Sequence, residues 1–222
     1  MCGFSGFILK KGAWLGNKLV EKYLDDMGQA ILHRGPDDQG KFIGEKDRIG
    51  LVFQRLSILD LSKLGRQPMF SKCKRWMIAY NGEVYNFREL KKNISIRADY
   101  WTSNTDTEVI LNAYIEWGIS CVNKFIGMFA FAIFDHKKNK LILCRDRAGV
   151  KPLFYYNTND LFLFGSELKS FHKHPKFKKE VNINALGLYF KKGYIPAPHC
   201  IFENCHKLEP GHYLEIDLKF PM

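Results

Sequence analysis

Residues 127–166 read GMFAFAIFDHKKNKLILCRDRAGVKPLFYYNTNDLFLFGS. Four short runs (GMFAFAIFD, KLILCRD, PLFYY and LFLFGS) follow one another across tight, polar turns. Runs rich in Phe, Ile, Leu and Tyr, bounded by Asn, Asp, Gly and Lys clusters, predict strands. Helices are expected on either side of this block rather than inside it, the next two at 166–172 and 182–190. Strands grouped together with helices set apart argue for α+β layering and against a regular βαβ alternation.

Working outward, residues 3–9 predict a short apolar strand. In NKLVEKYLDDMGQAILH, Leu19, Val20, Tyr23, Leu24, Met27 and Ile31 recur at helical spacing and form one apolar stripe. HRGPDDQG then stops that helix, because Gly35-Pro36-Asp37 is turn chemistry. Strands are expected at 40–44, 48–53 and 75–80. A further helix is expected at NTDTEVILNAYIEW, where Thr105 can cap and Glu108 stands three residues on. The end of the chain is rich in proline before Tyr213 and closes on one more strand. The expected organisation is a domain over 1–195 and a linker over 196–222, leading toward a domain that the sequence does not contain.

The bulk numbers suit a globular protein. The 222 residues are 46% hydrophobic and 26% charged, enough for one large domain. No apolar run approaches the ~20 residues of a membrane span, and no secretory signal opens the chain, so no membrane partner is expected. Six cysteines scattered at 2, 73, 121, 144, 200 and 205 fit reduced thiols in the cytoplasm. The formal charge is +11, but the lysines are spread over ELKKN, HKKNK and KFKKE, as on a solvated surface. No nucleic-acid partner is therefore expected.

Several short stretches carry chemistry, each with a plainer alternative. MCGFSG places Cys2 directly after the initiator methionine. If Met1 is removed, one residue holds both a thiol and the free α-amine, which titrates near ~8 and can take the thiol proton. YNGEVYN offers Asn81 and Gly82 either as a simple turn or as an oxyanion hole of side-chain amide and backbone N–H. Arg55 is either a surface ion-pair partner or a bidentate grip for a carboxylate. Asp106 either favours the positive end of a helix or binds a substrate ammonium. In RDRAGVK, Arg145, Asp146, Arg147 and Lys151 read as an internal charge network around a bend at Gly149 rather than a phosphate site. His199, Cys200, Cys205 and His206 lack the paired spacing of zinc ligands, so no metal is expected.

Taken together and in order, MCGFSG, HRGPDDQG, QRLSILDLS, RQPM, YNGEVYN, TDTEVIL, GMFAFAIFD, RDRAGVKPLFYY and GSELKSF resemble the class II glutamine amidotransferase domain of glutamine-hydrolysing asparagine synthetases. The resemblance runs from Cys2 to at least Gly211. It implies a four-layer αββα sandwich of the N-terminal-nucleophile hydrolase type, with two mainly antiparallel sheets between helices. It implies Cys2 as nucleophile, and Asn81 with Gly82 as oxyanion hole. Glutamine-binding positions fall on Arg55, Leu56, Ser57, Ile58, Leu59, Glu83 and Asp106, besides the hole itself. Small departures are Gln54 and Arg66, where relatives often carry histidine.

The implied reaction is hydrolysis of L-glutamine to glutamate and ammonia through a thioester, with no cofactor. ATP and Mg2+ would serve only a synthetase domain or subunit that receives the ammonia. That domain is marked by an SGGxDS-like loop absent from this sequence. A truncated, non-catalytic form that keeps the fold and binds a partner is the alternative, and self-association into a homo-oligomer is left open.

Overall fold

A strand buried on both faces is mostly apolar, and GFSGFIL and IGLVFQR have that character in the middle of a sheet, with Ser5, Gln54 and Arg55 as their buried polar exceptions. The structure, a computed structural model, describes residues 2–10, 16–44, 48–96 and 100–218. In chain order the elements are β1 (Gly3–Leu9), α1 (Asn17–Ala30), β2 (Asp38–Ile43), β3 (Ile49–Arg55), β4 (Met69–Phe70), β5 (Trp76–Val84), α2 (Phe87–Asn93) and α3 (Asp106–Trp117). They continue as β6 (Gly127–Asp135), β7 (Lys140–Arg145), β8 (Phe154–Asn157), β9 (Leu161–Gly165), α4 (Leu168–Phe171), α5 (Ile183–Lys192), β10 (Cys205–Lys207) and β11 (Tyr213–Asp217).

The strands form two antiparallel sheets, ordered β10-β8-β9-β1-β3-β2 and β11-β7-β6-β5-β4. Alternation along each strand sorts side chains into three apolar layers. Phe4 and Ile8 of β1 meet Met77 and Ala79 of β5, and Ala130 and Ala132 of β6, between the sheets. The opposite face of the first sheet packs Phe7 and Leu9 against Val20, Leu24 and Met27 of α1 and Phe171 of α4. The opposite face of the second packs Ile78, Tyr80, Phe129 and Phe131 against Val109, Ile110 and Ala113 of α3 and Leu90 of α2. The order is therefore helix, sheet, sheet, helix, the four-layer α+β sandwich that the resemblance implied.

Where the structure differs from the sequence expectations, short-range pattern was overridden by pairing. Neither α2 nor the two-residue β4 has enough length to show a period. Asn81-Gly82 is no turn: β5 runs straight through it, with Asn81 opposite Ala130 and Gly82 opposite Phe129. The segment expected as a linker from 196 onward supplies edge strands to both sheets. Cys205 of β10 pairs with Tyr156, and Tyr213 of β11 pairs with Cys144. Leu208 and Ile216 enter the layer between the sheets. The prolines lie in the connections around these strands, and residues 219–222 lie outside the described ones.

One buried histidine ties the outer helical layer to β1. His174 follows α4, and its ring lies between Phe7 and Tyr23, with centroids 5.0 and 5.2 Å away. Nδ1 accepts the Lys176 N–H at 3.3 Å. Burial, aided by the Lys176 charge, pushes its pKa from 6.5 down to about 4. The unfolded chain thus takes up a proton at a pH where the fold refuses it. The stabilisation from the neutral ring is complete above pH 6.5 and declines as pH falls toward 4. The whole decline is on the order of 3 kcal/mol. Denaturant unfolding of the parent and of His174→Phe at pH 7, 6, 5 and about 4 should show this slope in the parent and a flatter one in the variant.

Candidate active site

Cys2 sits immediately before β1, which lies between β9 and β3 in the first sheet. Gly3 pairs with Gln54, so the register carries Cys2 alongside Arg55 at the end of β3. The Sγ lies 3.3 Å from the Leu56 N–H and 3.5 Å from the Leu56 carbonyl. Arg34, from the 3-10 turn after α1, donates from Nε to the Cys2 carbonyl at 2.9 Å and pairs through Nη1 with Glu167 at 2.8 Å. Burial raises the Glu167 pKa, but hydrogen bonds from Arg34, Lys169 and His33 outweigh it and hold the carboxyl at about 2. The Cys2 backbone is thus anchored by a salt-bridged arginine.

Across the gap between the sheets stands Asn81. Alternation along β5 puts it on the face of Met77 and Ala79, which looks toward β1, and it is 1% exposed. The layer between the sheets is apolar along most of its length and becomes polar where Cys2 and Asn81 end it.

Gly82, the next residue, directs its backbone N–H within the sheet plane, away from β6 and toward the open edge. Even-numbered N–H groups of β5 face away from β6. There β4 pairs only as far as Ile78 opposite Met69. Beyond it the Gln67 amide substitutes for a strand, accepting the Tyr80 N–H at 2.7 Å and donating to the Tyr80 carbonyl at 3.3 Å. Two residues past Gly82, the Val84 N–H is taken by Asp106 at 3.0 Å. The Gly82 N–H lies between these two on the open edge. A Cβ at Gly82 would come 2.3 Å from the Met128 carbonyl oxygen, so only glycine fits.

Asp106 begins α3, with Thr105 capping through its hydroxyl to the Glu108 N–H at 3.3 Å. The Glu108 carboxylate does not return to residue 105, as a capping box would have it, but binds Thr102 and Ser103. Asp106 Oδ2 accepts from the Tyr80 hydroxyl at 2.7 Å as well as from Val84. Burial pushes its pKa up, against these hydrogen bonds. Both roles weighed for it in the sequence are therefore compatible: it opens the helix and faces a cavity. Arg55 is buried rather than at the surface, and donates to the carbonyls of Ser62, at 2.9 Å, and Asp60. With five N–H groups, the guanidinium keeps donors beyond these two bonds.

One cleft of about 180 Å³ is lined by Cys2, Arg55, Leu56, Ile58, Leu59, Asn81, Gly82, Glu83 and Asp106. Among the positions expected from the sequence, only Ser57 is absent from its wall; its N–H binds Asp37 at 2.8 Å instead. Residues not expected there include Gln67, Tyr80 and Lys151. Lys151 shares the RDRAGVK stretch with Arg145, Asp146 and Arg147, and those three are structural. The Asp146 carboxylate accepts N–H groups from Phe129, Ala148, Val150 and Lys151 at 2.9–3.2 Å. Arg145 binds the carbonyls of Gly149, Lys151 and Leu208, and Arg147 those of Val122, Asn123 and Phe125. That network sets the bend, while the Lys151 side chain reaches the cleft, where burial lowers its pKa. No spacing in the sequence marked it. Cys200 and Cys205 are buried under the first sheet, and His206 stacks on Tyr155 at 5.0 Å.

A thiol, a side-chain amide, an open backbone N–H, an arginine and an aspartate thus share one cleft. A family model described as a glutamine amidotransferase domain matches residues 1–220. The chain belongs to this family. A putative glutamine-hydrolyzing asparagine synthetase 2 of Methanocaldococcus jannaschii is 42% identical over 98% of the chain and 44% of its own length. A glutamine-hydrolyzing asparagine synthetase 2 of Bacillus subtilis is 40% identical over 98% of the chain and 29% of its own length. The amidotransferase domain described here therefore spans less than half of either relative. The glutamine phosphoribosylpyrophosphate amidotransferase from B. subtilis superimposes on 77% of the chain and 43% of its own, with TM-score 0.59 at 18% identity. An allosteric regulatory enzyme of purine biosynthesis superimposes on 97% of the chain and 47% of its own, with TM-score 0.67 at 17% identity. Both share the fold.

The state of the thiol follows from its surroundings. Burial pushes the Cys2 pKa above 9.0; the Leu56 N–H and the Arg55 charge oppose this, and the Asp106 charge adds to it. At neutral pH such a thiol stays protonated and needs a base to react. Met1, whose removal would free that base, lies outside the described residues. With Met1 retained, iodoacetamide labelling of Cys2, followed by peptide mass mapping, should keep rising with pH through 9.0. After removal of Met1, labelling should already be appreciable near pH 8.

Proposed function

We propose that this amidotransferase domain hydrolyses L-glutamine to glutamate and ammonia, with Cys2 as nucleophile. The reading rests on one observation: the Cys2 thiol shares a cleft with the Asn81 amide, the open Gly82 edge, Arg55 and Asp106. The α-amine of Cys2, free once Met1 is gone, takes the thiol proton, and the sulfur attacks the side-chain amide carbon. The developing oxyanion is held by the Asn81 side-chain N–H and the Gly82 backbone N–H. Protonated by the same amine, ammonia leaves and a γ-glutamyl thioester remains; water then attacks it with the amine again as base. Arg55 binds the substrate α-carboxylate and Asp106 its α-ammonium, two charged contacts at the far end of the amino acid.

No metal or organic cofactor enters this half-reaction. The names of the relatives support a destination for the ammonia: amidation of aspartate, driven by ATP with Mg2+, in a synthetase domain or subunit working in the cytoplasm with this one.

Ammonia release from glutamine, with the N-terminal mass of the same sample, tests the reading. Cys2→Ala should abolish turnover. Asn81→Ala should lower kcat by about 10²–10³ with KM little changed, the cost of one oxyanion donor. Asp106→Asn should raise KM by about tenfold or more, the worth of a charged contact, measured on protein shown by circular dichroism to be folded. Undiminished hydrolysis by Cys2→Ala would refute the mechanism. A chain lacking Met1 that released no ammonia would refute the activity.

A further inference from the structure

A helix on a globular surface ordinarily turns its apolar stripe inward. α5 does the reverse. Its well-buried residue is Ala185, while Ile183 is 71% and Phe190 78% exposed. Ile183 and Phe190 stand seven residues apart, two helical turns, on the outward side, with Leu186 half-buried between them; Tyr194, 59% exposed, follows the turn at Gly193. Gly187 lies on the same side, and a Cβ there would have nothing within 4 Å. Tyr189 packs edge-on against Phe190 at 6.0 Å and widens the strip.

The helix needs no partner to form. Asn182 caps it through the Ala185 N–H at 2.8 Å, and Gly193 closes it with φ of 75°. Single exposed apolar residues are ordinary, but a group of large ones on a well-capped helix marks a surface meant to be covered.

The rim indicates what covers it. Lys178 and Lys179 precede the helix, Lys191 and Lys192 end it, and all four are exposed. Between Leu168 and Phe202 the only acidic residue is Glu180, paired with Lys178 at 3.9 Å. A second copy would set lysine against lysine, which disfavours self-association. The relatives supply a different occupant: each carries this domain joined to more than an equal length of further chain. Since α5 contributes no residue to the cleft, covering it leaves the cleft open.

We infer that the outward face of α5 and its lysine rim are a docking surface for an ammonia-consuming synthetase portion, which meets them with an apolar groove edged by carboxylates. The partner's identity rests on the function proposed above; the surface itself does not. Phe190 and Tyr194 are the anchors, aromatic side chains of the kind that dominate interface energetics.

The test pairs the full 222-residue chain with the unmatched portion of the M. jannaschii relative, whose own folding is read by asparagine formation from ammonium. Calorimetry should show a complex, weakened at least tenfold by Phe190→Glu and by Ile183→Glu, and weakened also by Lys191→Glu with Lys192→Glu. All variants should hydrolyse glutamine like the parent. In a second arm, this chain replaces the matched region of that relative, and Phe190→Glu should raise the glutamate formed per asparagine several-fold. Absence of a complex, an affinity unmoved by Phe190→Glu, or an unchanged product ratio would overturn the assignment. So would a dimer of the chain alone that Phe190→Glu dissociates. Flotation with phosphatidylcholine–phosphatidylglycerol vesicles, lost in Phe190→Glu, would overturn it in favour of a membrane. Docking is read without turnover, so a chain that docks but releases no ammonia would refute the glutaminase reading and leave the surface standing.

Discussion

The cleft depends on one edge of β5 being left incomplete. β4 pairs with two residues of it and stops. A longer β4 would bind the Gly82 N–H into the sheet ladder, and no donor would face the cavity. Instead the Gln67 amide satisfies Tyr80 and the Asp106 carboxylate satisfies Val84, so the strand is held on both sides of Gly82. Buried N–H and carbonyl groups demand partners, and here two side chains supply them while leaving a gap of one residue. The same Asp106 bond locks the start of α3 to the second sheet, so the edge and the helical layer stabilise each other.

The second constraint is electrostatic. Several charged groups are buried around this end of the sandwich, and the backbone supports many of them. Asp146 accepts four N–H groups, Arg55 donates to two carbonyls, and Asp106 accepts a hydroxyl and an N–H. Charges held by dipoles of the fold keep their place without needing a counter-ion in the cleft. The proposed substrate, which carries its own carboxylate and ammonium, would then meet opposite charges already oriented. Burial meanwhile raises the Cys2 pKa, which leaves activation to a base beside the thiol rather than to the surroundings.

Much of the candidate site was legible because its residues lie where strands and helices end. Cys2 opens β1, Arg55 closes β3 and Asp106 opens α3, positions that apolar periodicity marks along the chain. Asn81 and Gly82 were legible as a pair but not as to conformation, since Asn-Gly is turn chemistry wherever no neighbouring strand overrules it. Ser57 stood in the right motif, yet its N–H turns to Asp37 and leaves the cleft wall. Lys151, Tyr80 and Gln67 stand in motifs that the sequence offers, yet nothing local assigns them to the cleft, because the cleft forms only when segments distant in sequence meet.

The amino-acid sequence by itself determined the alternation of short apolar strands, the amphipathic helix after β1, the cap at Thr105 and the identity of the reactive groups. These follow from periods and residue chemistry that act over a few positions. Only the tertiary structure decided that β5 continues through Asn81-Gly82, that β10 and β11 complete the two sheets, and that α5 presents large apolar residues outward. Each of these is settled by which edges and surfaces the rest of the fold leaves open. β6 pairs with β5 past Gly82, the open edges of β7 and β8 accept the last two strands, and α5 finds only Ala185 a place to bury.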